Sequence, residues 1–149
     1  MKIKPVFLVM LVCILTLSFV FVSCKTDDDD GGGGGGGNVT SVTITGLDGK
    51  SGDVLIKFYV EKDVSDTAYS EEVISNNKVT FSSPMCYDTT PLKNGSYFLN
   101  VRIESDHYVY TNGAGTDGLG SGDNIGNSAA VKIDLSGDVT ISFDKFKLN

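Results

Sequence analysis

Basic residues are scarce in this chain: Lys and Arg together number 12 against 19 Asp and Glu, a net charge of −7. Nucleic acid is thereby excluded as a partner, because binding it draws on clustered Lys and Arg. No segment sustains a 3.6-residue apolar period, so helix should be nearly absent. No G-x-S-x-G elbow is present, which leaves the Ser105-Asp106-His107 run without a nucleophile of the hydrolase type. Adjacent strand residues also face opposite ways, so Asp106 and His107 do not meet. The D-x-[DN]-x-[DN]-G spacing of a helix-loop-helix calcium site is missing as well. The sequence is therefore expected to be non-catalytic and to carry no cofactor.

What is present begins with an address. Lys2 and Lys4 precede an apolar run from Val6 to Val22, then Ser23 and Cys24, the layout of a secretory signal. The run sits at the short end of the roughly 17–25 residues that cross a bilayer, so an uncleaved transmembrane anchor is the competing reading. A small residue and a cysteine followed at once by polar sequence favour the other. Phe21-Val22-Ser23-Cys24 resembles the lipobox of bacterial lipoproteins, although that family prefers Leu where this chain has Phe21. The resemblance implies a signal peptide over residues 1–23, removed to leave Cys24 as the lipidated first residue and as the link to a membrane.

Residues 24–38 follow, with Asp27 to Asp30 and Gly31 to Gly37. No hydrophobic group there can offset the entropy of ordering, so this is read as a flexible linker with a reach of roughly 20 Å. Lys25 with the acidic run is similar to the surface-export signal of Bacteroidota lipoproteins, with Thr26 inserted. That similarity implies an outer-membrane, surface-exposed location. Loss of Lys2 and Lys4 with the signal makes the remaining chain more acidic still. Cys13 would leave with the signal and Cys24 would carry lipid, so Cys86 is expected to stand alone as a small buried apolar residue.

Residues 39–149 suffice for one compact domain, and they read as strands. Thr40, Val42 and Ile44, then Ile56, Phe58 and Val60, then Tyr97, Leu99, Val101 and Ile103 alternate with other residues, which buries one face. Val131 to Leu135 and Val139 to Phe143 flank Ser136-Gly137-Asp138 and are expected to form a hairpin. Asn76-Asn77 tolerates the positive φ of a tight turn. The predicted fold is all-β, an antiparallel β-sandwich of about seven strands, immunoglobulin-like or transthyretin-like. Ser51 to Phe58 echoes Ser136 to Phe143, read as one turn-to-strand solution used twice. Thr43-Ile44-Thr45-Gly46-Leu47, Asn94-Gly95-Ser96-Tyr97 and Val139 to Phe146 are similar to small lipid-anchored β-sandwich proteins of spirochaetes, a group that implies no catalytic residues.

Two regions are candidates for binding. Asn112 to Asn127 is glycine-rich and reads as a long loop, in which Gly113-Ala114-Gly115-Thr116-Asp117-Gly118 matches G-x-G-x-x-G by accident, since no helix follows to meet a pyrophosphate. Asp117, Asp123 and Asn124 are its oxygen-bearing candidates for a ligand. Tyr87, Tyr97, Tyr108 and Tyr110 with His107 could instead stack on sugar rings or a protein partner. Tyr108 and Tyr110 share a strand face, which is a surface patch if it points outward and core if inward. The expected role is a lipid-anchored envelope protein that binds host or envelope protein or glycan. Its alternative is a structural or accessory subunit facing the periplasm.

Overall fold

A computed structural model describes residues 36–62, 66–115, 122, 123, 125 and 129–149. The signal peptide, Cys24, most of the linker, Asp117 and Asn124 lie outside the described residues. Strands are β1 (Val39–Thr45), β2 (Asp53–Tyr59), β3 (Ala68–Val73), β4 (Lys78–Ser82), β5 (Met85–Cys86), β6 (Gly95–Ile103), β7 (Asp106–Tyr110), β8 (Ile133–Leu135), β9 (Gly137–Ser142) and β10 (Phe146–Leu148). They form a small sheet in the order β4-β1-β9 and a large one in the order β10-β7-β6-β2-β3-β5, with β8 joining β6. Among the described residues the only helix is a 3-10 turn over Phe143–Lys145. The chain is an all-β sandwich, as its periodicity implied.

The inward faces carry the alternation. Val42 and Ile44 of β1, Val79 and Phe81 of β4, and Ile141 of β9 pack against Val54, Ile56 and Phe58 of β2 and Tyr97, Leu99 and Val101 of β6. Phe58 meets Tyr97 edge to face, with ring centroids 6.3 Å apart. The Tyr97 hydroxyl satisfies itself by donating to the Lys93 carbonyl at 2.8 Å, and burial pushes its phenol up to about 12. A domain that removes this much apolar surface from water needs no further staple to fold.

Three expectations are corrected. The residues on either side of Ser136 do not make a hairpin: β8 pairs with β6 and β9 pairs with β1, so the chain crosses there from one sheet to the other. The β1–β9 pair is parallel, Val42 opposite Val139 and Ile44 opposite Ile141, in a fold otherwise built of antiparallel pairs. Alternation reports which face is buried, not which strand lies beside which. Finally, Cys86 is disulfide-bonded rather than a solitary thiol.

Asn76-Asn77 does form the expected turn. Both have positive φ, 53° and 59°, and Ser75 and Lys78 exchange backbone hydrogen bonds of 2.8 and 3.2 Å across them, the geometry of a two-residue hairpin loop. The turn carries the chain from β3 in the large sheet to β4 in the small one. A β-branched residue is strained in that region by about 1–2 kcal/mol, whereas Gly is not. Asn76→Val is thus expected to lower the unfolding free energy by about that amount and Asn76→Gly to leave it nearly unchanged, as read by urea denaturation. The echoed segments also share a device, since Gly52 and Gly137 both adopt positive φ, 93° and 59°, to launch β2 and β9.

Candidate outer-face binding site

The outer face of the large sheet is where polar chemistry and exposed aromatics meet. Strand pairing places residues of one parity on that face in rows. Met85 lies opposite Tyr69, Tyr69 opposite Lys57, Lys57 opposite Asn100 and Asn100 opposite Val109. One row away, Leu55 is flanked by Glu71 and Arg102, with His107 beyond Arg102. On the other side of the first row Tyr59 sits opposite Phe98.

This last pair is covered. Tyr59, Phe98, Val109, Ile125 and Ala130 form a second, smaller apolar cluster, so the segment bearing Asp123 and Ile125 lies across the sheet. Lys62 and Lys132 stand over the Phe98 ring, each 5.4 Å from its centroid, a cation–π contact that keeps the ammonium groups in water. Burial, reinforced by the Asp123 charge, pushes the Tyr59 phenol upward.

Polar ties hold the covering segment down. Asp123 accepts from Lys57 Nζ at 2.6 Å and from His107 Nδ1 at 2.8 Å. Asn100 Nδ2 and Asn149 Nδ2 both donate to the Gly122 carbonyl, at 3.3 and 2.6 Å. His107 Nδ1 also lies 3.2 Å from Asn100 Oδ1; facing two acceptors, it carries the hydrogen. Lys57 reaches a second carboxylate, Asp66, at 3.7 Å, and Asp66 accepts the Tyr87 hydroxyl. Burial and the hydrogen bond to Asp66 push the Tyr87 phenol up to about 12, so it remains a neutral donor at physiological pH.

Of the residues anticipated for binding, Asp123 is on this face, but both of its carboxylate oxygens are already engaged, by Lys57 and His107. No group of three or more metal-ligating side chains is assembled among the described residues. Tyr108 and Tyr110 do not form a surface patch: both point inward as members of the main core, Tyr108 against Phe143 at 4.9 Å and Tyr110 against Phe146 at 5.5 Å. Burial raises the Tyr110 phenol. The Tyr108 hydroxyl finds the Lys50 ammonium at 2.7 Å, and that contact raises the lysine. His107, one residue earlier, is on the opposite face, where its partners are Asp123 and Asn100.

The aromatics that do reach solvent are Tyr87, one of the four tyrosines anticipated, and Tyr69, which was not. Tyr69 is 44% exposed and Tyr87 59%, their rings 5.2 Å apart and tilted by 42°. Met85 is 51% exposed and Val73 59%. Tyr69, Tyr87 and Met85 gather at the β3–β5 corner, Val73 ends β3 opposite Asp53, and only Val131 and Leu148 share their exposure among large apolar residues described. Tyr69 and Met85 escape a sequence reading because β5 has two residues, too few to alternate. The available signal was Glu71, two residues from Tyr69 on the same face, since a carboxylate marks the solvent side of a strand.

Asp123→Ala removes the Lys57 ion pair and the His107 hydrogen bond from a half-exposed carboxylate, and exposed pairs of this kind contribute about 1 kcal/mol or less. Global stability should therefore change little, while amide exchange speeds up at Ile125 and at Val131, whose N–H donates to the Tyr110 carbonyl at 3.1 Å. Equal exchange in both proteins would show that the ties do not hold the segment. No family model, curated protein or solved structure matches the chain.

Proposed function

We propose that this chain is a lipid-anchored protein of the cell envelope, displayed at the outer-membrane surface, that acts as a non-catalytic binding module. The observation that supports binding most is the gathering of the exposed side chains of Tyr69, Tyr87 and Met85 at one corner. Large apolar side chains scattered singly over a surface need no explanation; three of them together on one sheet edge do. Tyr and Met are also residue types enriched where proteins meet partners. The anchor rests on the sequence Phe21-Val22-Ser23-Cys24, and acyl chains on Cys24 would leave the sandwich on a tether of about 20 Å, clear of the headgroups.

Protease shaving of intact cells tests the reading. A tagged domain should be lost while a periplasmic control survives. Survival of both would place the domain in the periplasm and replace the adhesion role with that of an accessory envelope subunit.

A further inference from the structure

The β3–β5 corner continues into a groove of about 590 Å³ whose floor is Leu55 and whose rim carries Asp53, Glu71, Glu72 and Glu104, with Arg102 as its one cation. Lys57 does not neutralise this groove, because it is held by Asp66 and Asp123. The tyrosines beside it are fixed in advance: Tyr69 sits on a paired strand, and the Tyr87 hydroxyl is tied to Asp66. Rigid aromatic surface of this kind loses little entropy on binding. Among the described residues, Ser70 to Val73 have a strand partner on one side only, since β5 pairs with Ala68 and Tyr69 and no further.

We infer that this corner docks an extended, arginine- or lysine-bearing segment of a partner protein. The inference rests on the binding-module reading and supplies its partner class. Tyr69, Tyr87 and Met85, with Val73 in the groove, take its apolar side chains, and the groove's carboxylates take its cations. Arginine suits the site best, because its guanidinium both stacks on a tyrosine face and engages a carboxylate in a two-pronged hydrogen bond. A neutral sugar would use the rings and leave the carboxylates of the groove without a partner.

The probe is a fluorescent peptide alternating arginine with phenylalanine, titrated by anisotropy into the mature lipidated chain in neutral detergent micelles, with the glutamate-for-arginine peptide as comparison. The arginine peptide should bind and the glutamate peptide should not. Tyr69→Ser, and Glu71→Gln with Glu72→Gln, should each weaken binding by roughly tenfold, the effect of losing a central contact. Asp138→Asn with Asp144→Asn removes the same charge from exposed positions on the other side of the sandwich and should change it by less than about twofold. Equal loss in the two charge-matched pairs would reduce the binding to net charge and overturn the inference, as would absence of binding. A saccharide captured on a glycan array and lost with Tyr87→Ala would overturn it in favour of a sugar. Because these measurements use purified protein, a negative result beside successful shaving of cells removes the partner class and leaves the surface location standing.

Discussion

Cys24→Ser, carried on a signal peptide whose cleavage does not require lipid, is expected to move the protein from the membrane fraction to the soluble fraction. Burial of acyl chains contributes about 0.8 kcal/mol per CH₂, one chain holds a protein only marginally, and two or three hold it firmly. The described residues contain no helix long and apolar enough to cross a bilayer, and the acidic run Asp27 to Asp30 would repel anionic headgroups. The substitution therefore removes nearly all of the membrane affinity at once. Retention of the variant in the membrane after its signal has been cut would overturn the lipid anchor.

The same sulfur makes a second outcome measurable. Cys86 is disulfide-bonded, and the chain has only Cys13 and Cys24 to offer it. On the proposed lipid-anchor reading, processing would remove both, the first with the leader and the second by conversion to a thioether, so the disulfide would belong to the unprocessed chain alone. The mature lipidated chain should consequently show one titratable thiol after denaturation without reductant, together with an acylated amino-terminal peptide by mass spectrometry. A peptide from around Cys86 linked to one containing Cys24, with no acyl mass, would identify an exported but unlipidated protein.

Face was legible in the sequence and neighbourhood was not. The inward positions of β1, β2 and β6 follow from alternation alone, because a period of two leaves each side chain a single choice of face. The partner of β9 does not follow, because Val139 and Ile141 satisfy the same apolar rule whether they pair with β8 in a hairpin or with β1 across the sandwich. Tyr108 and Tyr110 were visible as a same-face pair, but their direction depends on which side the small sheet covers. For the site, the glycine-rich stretch was legible as a place to look, and among its described residues Asp123 is seated on Lys57 and His107. The Tyr69–Tyr87 corner is tertiary in origin: it brings together β3 and the chain just after β5, and no local spacing announces it.

Phe58→Ala should be among the most damaging single changes in the core, and its contrast with Phe143→Ala separates local motif from tertiary role. Both phenylalanines close the echoed segments Ser51 to Phe58 and Ser136 to Phe143. Phe58 is fully buried on a central strand between Ala68 and Leu99. Truncating it leaves a cavity walled by strands that cannot close in, which costs about 3–5 kcal/mol out of the roughly 5–15 kcal/mol that holds a domain folded. Phe143 is only partly buried at the sandwich edge, stacked on Phe146 at 6.0 Å, and its removal exposes neighbours to water rather than to a void, for about 1–1.5 kcal/mol. In urea, where the slope is about 1–3 kcal/mol/M, Phe58→Ala should lower the midpoint by roughly 2 M and Phe143→Ala by less than half as much, with the slope unchanged in both. Equal losses would mean that the two segments bear the same load, as duplicated modules do, and would contradict the reading of the echo as one turn-to-strand solution placed in two unlike environments.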